Sequence, residues 1–325
     1  MKKIFLLFSL ICLIALINMG CFGDSPPKKE LNYEIPNGTK IIDNETIPKK
    51  LKKSITSITI PESVTEIKSF ALNSDDCKYL KSINIPKNVK TIEEGTFFDF
   101  KYLNNIKISE GVTQINEQAF GMCNSLVEIK IPNSVTEIRH GAFYNCKNLK
   151  KVTLSNNITK IEKDTFEYCE SLSEIIIPDK VTTIENRAFS NCKSLKTINI
   201  PKGVTKIKEN TFFNCESLTE IKIPDTVTEI EKGAFCSCNS LNNINIPKGI
   251  TKIEESTFAF TKLTDIIIPN TVTEIEKEAF EYCEYLDVKI PDSVTEIGEN
   301  AFEEVKHIEY HGNATGAPWG AKSMN

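Results

Sequence analysis

The apolar positions of this chain come back at a fixed interval. In Leu126-Val127-Glu128-Ile129-Lys130-Ile131 the isoleucines flank a lysine, the period-two pattern of a strand with Ile129 and Ile131 inward and Lys130 outward. Pro132 closes that strand, because proline donates no ladder hydrogen bond. A second extended segment follows, Val135-Thr136-Glu137-Ile138, with Val and Ile inward. Ala142, Phe143 and Cys146 come next, and the three-residue spacing of Phe143 and Cys146 predicts a brief helical turn with both on one face. The phenylalanine recurs at Phe97, Phe120, Phe143, Phe166, Phe189, Phe212, Phe235 and Phe258, 23 residues apart, then at Phe280 and Phe302 after 22. Such a period is the signature of a solenoid. One coil buries too little apolar surface to hold itself together, so the coils fold as a stack.

The departures from the period are also readable. Asn73-Ser74-Asp75-Asp76 reads as four added residues between Phe70 and Cys77, expected to bulge as a loop. Phe100 and Phe260 lie at or near the cysteine slot, where the core should repack. Residues 33–60 echo the repeat loosely, with Pro36 standing 25 residues before Pro61, and are expected to form an N-terminal capping coil. The regular array spans 61–311, ending in a strand from Val305 to Tyr310. Residues 312–325, with the sole tryptophan Trp319, are expected to cover the last coil.

Composition narrows the chemistry. The 325 residues carry a net charge of −5 and an ordinary apolar content, which points away from disorder and from nucleic-acid binding. Eleven cysteines would suggest disulfides in an exported chain, but Cys123, Cys146, Cys169, Cys192, Cys215 and Cys238 share the repeat period, with Cys77 and Cys283 in the same slot. A residue that recurs once per coil is a stacking position, so a reduced, buried ladder is expected. Cys236 falls outside it and is the candidate exposed thiol. Charges alternate in sign from coil to coil in several columns, as in Lys147, Glu170, Lys193, Glu216 and in Lys206, Glu229, Lys252, Glu274. With the alternating Ala188, Thr211, Ala234, Thr257, this marks a two-coil unit whose charges pair across the stack.

The N-terminus has its own pattern. Lys2 and Lys3 precede an apolar run from Ile4 to Ile17, about 21 Å as a helix and short of the ~30 Å of a bilayer core. Residues 1–20 are therefore expected to be an export signal. Asn18-Met19-Gly20-Cys21 resembles the lipobox of bacterial lipoproteins: Gly20 and Cys21 fit, and Asn18 departs from the usual leucine. The resemblance implies lipidation of Cys21, with 21–32 as anchor and tether around Pro26-Pro27.

The unit Leu-x-x-Ile-x-Ile-Pro-x-x-Val-Thr-x-Ile-x-x-x-Ala-Phe-x-x-Cys, matched in full from Leu126 to Cys146, resembles the BspA-type leucine-rich repeat. Serine replaces proline at Ser109 and Ser155. The resemblance implies a right-handed solenoid with a parallel sheet on its concave side, and a surface protein of bacteria engaged in adhesion or host-protein binding.

No nucleophile constellation or phosphate loop is recognisable, and no cofactor is implied. His307, Glu309 and His311 alternate on the final strand and are the candidate metal ligands, with Asp75-Asp76 as a candidate cation pair. The candidate binding surface is the outward residue of each first strand: Asn84, Lys107, Lys130, Thr153, Ile176, Asn199, Lys222, Asn245, Ile267 and Lys289. Ile176 and Ile267 break its polarity and are candidate anchors, with Lys107 and Lys130 as a basic patch. The expected function is a lipid-anchored monomer of the cell surface that binds a protein or matrix partner, without catalysis. A structural spacer of the envelope is the alternative, and a metal-dependent enzyme using the terminal histidines a further one.

Overall fold

The structure is a computed structural model and describes residues 29–312, 314–316, 319 and 320. The chain divides into two units, 1–30 and 31–325. The signal segment, Cys21 and most of the tether lie outside the described residues.

The second unit is a solenoid of about 12 turns. Among the described residues its 25 strands, none longer than four residues, fall into two columns. The first holds the Ile-x-Ile segments, such as Glu128–Lys130 and Lys151–Thr153; the second holds the Val-Thr-x-Ile segments, such as Glu137–Ile138. All pairing is parallel and joins like positions of successive coils: Ile129 with Val152, Ile115 with Ile138. The first column is interrupted in places, among them between Asn105–Ile108 and Glu128–Lys130. Its inward isoleucines, the Val and Ile of the second column, and the Ala, Phe and Cys of the third segment form one continuous buried core. The phenylalanine rings stack without a break from Phe97 to Phe302, at centroid spacings such as 5.3 Å for Phe97–Phe120 and 5.8 Å for Phe189–Phe212.

The third segment corrects the sequence expectation. It is not a helical turn; the one α-helix among the described residues is Lys49–Lys52 in the first coil. Each third segment is instead a rung of another backbone ladder. The N–H groups of Gln118, Phe120 and Met122 donate to the carbonyls of His140, Ala142 and Tyr144 on the next coil, at 3.1, 2.9 and 2.7 Å. The intervening N–H groups of Ala119, Gly121 and Cys123 donate three residues back within their own coil. Aiming alternate N–H groups along the axis requires two residues per coil with positive φ, such as Gln118 (50°) and Met122 (61°). Glycine takes that position at Gly95, Gly141 and Gly233, but Tyr168, Arg187 and Phe260 adopt it as well. The inter-coil bond holds bulky residues in a backbone region they otherwise avoid.

Phe70 is a second correction. It is not the repeat phenylalanine: it has φ 55°, is exposed, and its ring lies where a side chain on Gly95 would sit. Ala71-Leu72 stands in for the Ala-Phe pair, and both are buried. The insertion before Cys77 is therefore shorter than the spacing from Phe70 suggests. The insert also disposes of the cation reading at Asp75-Asp76. Asp76 accepts from the buried Lys52 Nζ at 3.0 Å and from Asn73 Nδ2 at 3.2 Å. The Lys52 hydrogen bond is the main reason the Asp76 carboxyl lies below its ordinary range. Lys52 Nζ also donates to the Asn44 carbonyl of its own coil at 2.7 Å, so its bond to Asp76 latches the first coil to the array.

The ladder cysteines are free and buried. Burial pushes the Cys146 and Cys215 thiols up to about 12 and those of Cys77 and Cys283 up to about 11. They are also more than small hydrophobes. Each thiol of the regular run donates to the carbonyl of the phenylalanine on the preceding coil, as Cys146 Sγ to Phe120 O at 3.1 Å and Cys215 Sγ to Phe189 O at 3.3 Å. Where Thr261 takes the slot, its hydroxyl donates to the Phe258 carbonyl at 2.9 Å. Cys236 is half-buried, and burial raises its thiol too, so it is not the freely exposed thiol expected.

Candidate ligand-binding face

The outward residues of the first strand column form one face of the solenoid, the strand face. Lys107, Lys130, Thr153, Ile176, Asn199, Lys222, Asn245, Ile267 and Lys289 all lie on it and are all exposed, as is Asn84. The parallel register pairs Asn84 with Lys107, Lys130 with Thr153 and Ile267 with Lys289. Ile176 is 79% exposed and Ile267 86%, the two most exposed large apolar side chains among the described residues. They sit four coils apart, about 19 Å along the stack at the usual strand spacing.

Hollows run along this face. One of about 520 Å³ is lined by residues on either side of Ile176, including Thr153, Pro178 and Asn199. One of about 580 Å³ lies beside Lys222 and Asn245. One of about 460 Å³ lies toward the N-terminus, over Thr59, Ser82, Asn84, Asn105 and Lys107.

Position in the column does not fix what a residue does. Asn199 Oδ1 accepts from the Ile177 N–H and its Nδ2 donates to the Ile177 carbonyl, both at 2.9 Å. Asn245 makes the same pair of bonds to Ile223, at 2.9 and 2.8 Å. These amides replace backbone pairing where the strands Glu174–Ile175 and Glu220–Ile221 stop short. Lys289 is held by Glu309 at 2.6 Å, which raises the lysine.

Away from the strand face, the alternating charge columns pair as the sequence predicts. Lys147 meets Glu170 at 3.7 Å, Lys193 meets Glu216 at 3.1 Å, Lys252 meets Glu274 at 3.2 Å, and Lys206 meets Glu229. The sequence did not single out a denser cluster on the third-segment side. Arg187 binds Asp164 through two bonds of 2.9 and 3.2 Å and lies 3.6 Å from Glu167. Glu167 is buried, and that burial, reinforced by Asp164, raises its carboxyl to about 7. The spacing of Asp164 and Arg187, one repeat apart, is the signal that would have linked them.

Among the described residues no group of three or more His, Cys, Asp or Glu side chains is arranged to hold a metal ion. Glu309, the centre of the candidate terminal trio, binds Lys289 and lies 3.6 Å from His311 Nε2. No helix among the described residues is long and apolar enough to cross a membrane.

The profile of the BspA type leucine-rich repeat region matches the chain in six copies, over residues 15–116, 74–196 and 182–309. The chain belongs to the BspA-type leucine-rich-repeat family. Solved structures of such repeats superpose on it. A leucine-rich repeat protein from Bacteroides ovatus is 25% identical with a TM-score of 0.69, over 90% of this chain and 82% of that one. A leucine-rich cell surface protein from Faecalibacterium prausnitzii is 32% identical with a TM-score of 0.55, over 89% of each. One from Eubacterium ventriosum, 24% identical with a TM-score of 0.52 over 80% of each chain, shares the fold. No curated protein matches the sequence. In this BspA-type chain the repeat consensus is the inward half of each coil. The strand-face residues are those the consensus leaves open.

Proposed function

We propose that this protein is exported, tethered to a bacterial membrane by a lipid on Cys21, and binds a protein or matrix partner along its strand face, without catalysis. The observation that carries the binding reading is the pair Ile176 and Ile267, almost fully solvated isoleucines in a column that is otherwise polar. Neither contributes to the core, so neither is required for folding. An apolar side chain standing over a hollow is the kind of group that anchors an interface once a partner excludes water from it. The short apolar run before Gly20-Cys21 supports the tether, and the cell-surface F. prausnitzii relative supports the location.

Pull-down from host and matrix extracts with wild-type protein and with Ile176→Asp/Ile267→Asp tests the site. The variant is expected to melt like wild type and to lose its partner; undiminished capture would remove the site from the strand face. Radiolabelled palmitate is expected to enter wild type and not Cys21→Ala. Equal labelling of the two would remove the tether.

A further inference from the structure

The N-terminal part of the strand face differs from the rest. The strands Ser82–Ile85 and Asn105–Ile108 pair over four residues, the fullest rung of the column. Their backbone groups need no help, so the outward side chains are left over. Asn84 occupies the column of Asn199 and Asn245, yet its amide bonds to nothing, and the same holds for Ser82, Asn105, Lys107 and Lys130 among the described residues. Ser82, Asn84, Asn105 and Lys107 line the hollow of about 460 Å³.

The charges here also break the rule followed elsewhere. Lys107 and Lys130 share a column one coil apart, with no acid among the described residues bonded to either. Like charges in that relation oppose stacking. The first strand column is interrupted between their two strands. A like-charged rung also occurs where Asp265 stands beside Asp287.

We infer that this N-terminal hollow is a second binding site, separate from the isoleucine pair, and that it takes an anionic saccharide. Rows of amide and hydroxyl groups match the alternating donors and acceptors of sugar hydroxyls. The two lysines supply the countercharge for a uronate carboxylate or a sulfate ester. Among the described residues of this stretch of the strand face there is no exposed aromatic ring to stack a nucleobase, and its exposed aliphatic side chains, Leu31 at 37% and Val127 at 44%, are far less solvated than Ile176.

The test is calorimetric titration of the full-length protein in detergent with a hexagalacturonate and with a heparin hexasaccharide; the two arms separate carboxylate from sulfate. At least one is expected to bind while neutral cellohexaose does not. Lys107→Gln/Lys130→Gln should weaken binding at least tenfold and flatten its dependence on salt. Asn84→Ala/Asn105→Ala should weaken it several-fold with the salt dependence kept. Ile176→Asp should leave it unchanged, so this site and the protein-binding site fail independently. The inference is overturned if neither anionic hexamer binds or if cellohexaose binds equally. It is also overturned if hexaglutamate or a single-stranded hexanucleotide binds as tightly, or if the lysine variant, melting like wild type, keeps its affinity.

Discussion

The third-segment side and the N-terminal stretch of the strand face treat polar residues in opposite ways. On the third-segment side, carboxylates and bases are drawn into cross-coil bonds: Arg187 chelates Asp164, and Lys193 holds Glu216. On the strand face toward the N-terminus, the side chains of Asn84, Asn105, Lys107 and Lys130 bond to none of the described residues. Both sides are built on the same stack and the same period. The difference shows where the array has used its polar groups for its own cohesion and where it has left them available. Substitutions on the third-segment side should therefore act on stability, and those of the unbonded strand-face residues on binding.

The largest effect should come from the core behind the third segment. Phe189 is fully buried between Phe166 and Phe212, with ring centroids 5.5 and 5.8 Å away. Phe189→Ala is expected to destabilise by about 3–5 kcal/mol, since a cavity remains between two rings that cannot close on it. Because each coil contacts only its neighbours, hydrogen exchange should accelerate first in the coils of Phe166 and Phe212 and least near the array ends. Ile176→Ala on the strand face should stay within about 0.5 kcal/mol. Comparable losses from both would erase the contrast.

Glu167 gives the third-segment side a pH dependence. Its carboxyl is raised from an ordinary 4.5 to about 7, first by burial and then by Asp164, with Arg187 opposing. A group raised in the folded state favours folding fully below its unfolded pKa and loses that contribution as pH rises through the folded value. Stability should therefore fall between about pH 4.5 and pH 7. Glu167→Gln should remove this slope and be more stable than wild type at pH 8 by roughly 1–3 kcal/mol, and equal to it near pH 4. Urea melts across that range decide the matter, and a parallel slope in the variant would sink the assignment.

How much of this the sequence could show differs by level. The period, the inward isoleucines, the buried thiols and the cross-coil charge pairs all follow from residue type at a fixed spacing. The third ladder does not. Gln118, Met122 and Tyr168 carry no local preference for positive φ, and only their bonds to the next coil impose it. Phe70 misleads because its identity matches the repeat while its place belongs to Leu72. The separate fates of Asn84 and Asn199 depend on whether the strand beneath is long enough to satisfy its own backbone, a difference of one or two residues that the repeat pattern hides.

Those asparagines make the next measurement. Asn199→Ala should cost about 1–2 kcal/mol, because the Ile177 N–H and carbonyl lose their partners together and water can replace them only in part. Asn84→Ala should change stability by less than about 0.5 kcal/mol, since no bond is lost. Equal effects would mean that the column, not the local ladder, sets the role of the amide.

The smallest effect is one of sign. Lys193 pairs with Glu216 at 3.1 Å with both side chains 41% exposed, so reversing it to Lys193→Glu should cost only about 0.2–1 kcal/mol, less in high salt. Lys107 has no acid bonded to it and shares its column with Lys130. Lys107→Glu replaces a like-charged neighbour with an opposite one, and should stabilise by a few tenths of a kcal/mol while abolishing anion binding. One substitution type thus moves stability in opposite directions on the two sides of the solenoid. Thermal melts at low and high salt report it, because both shifts should shrink toward zero as ions screen the charges. If Lys107→Glu destabilised as Lys193→Glu does, the lysine pair would already have a countercharge within the fold, and the strand face would not be the open surface described above.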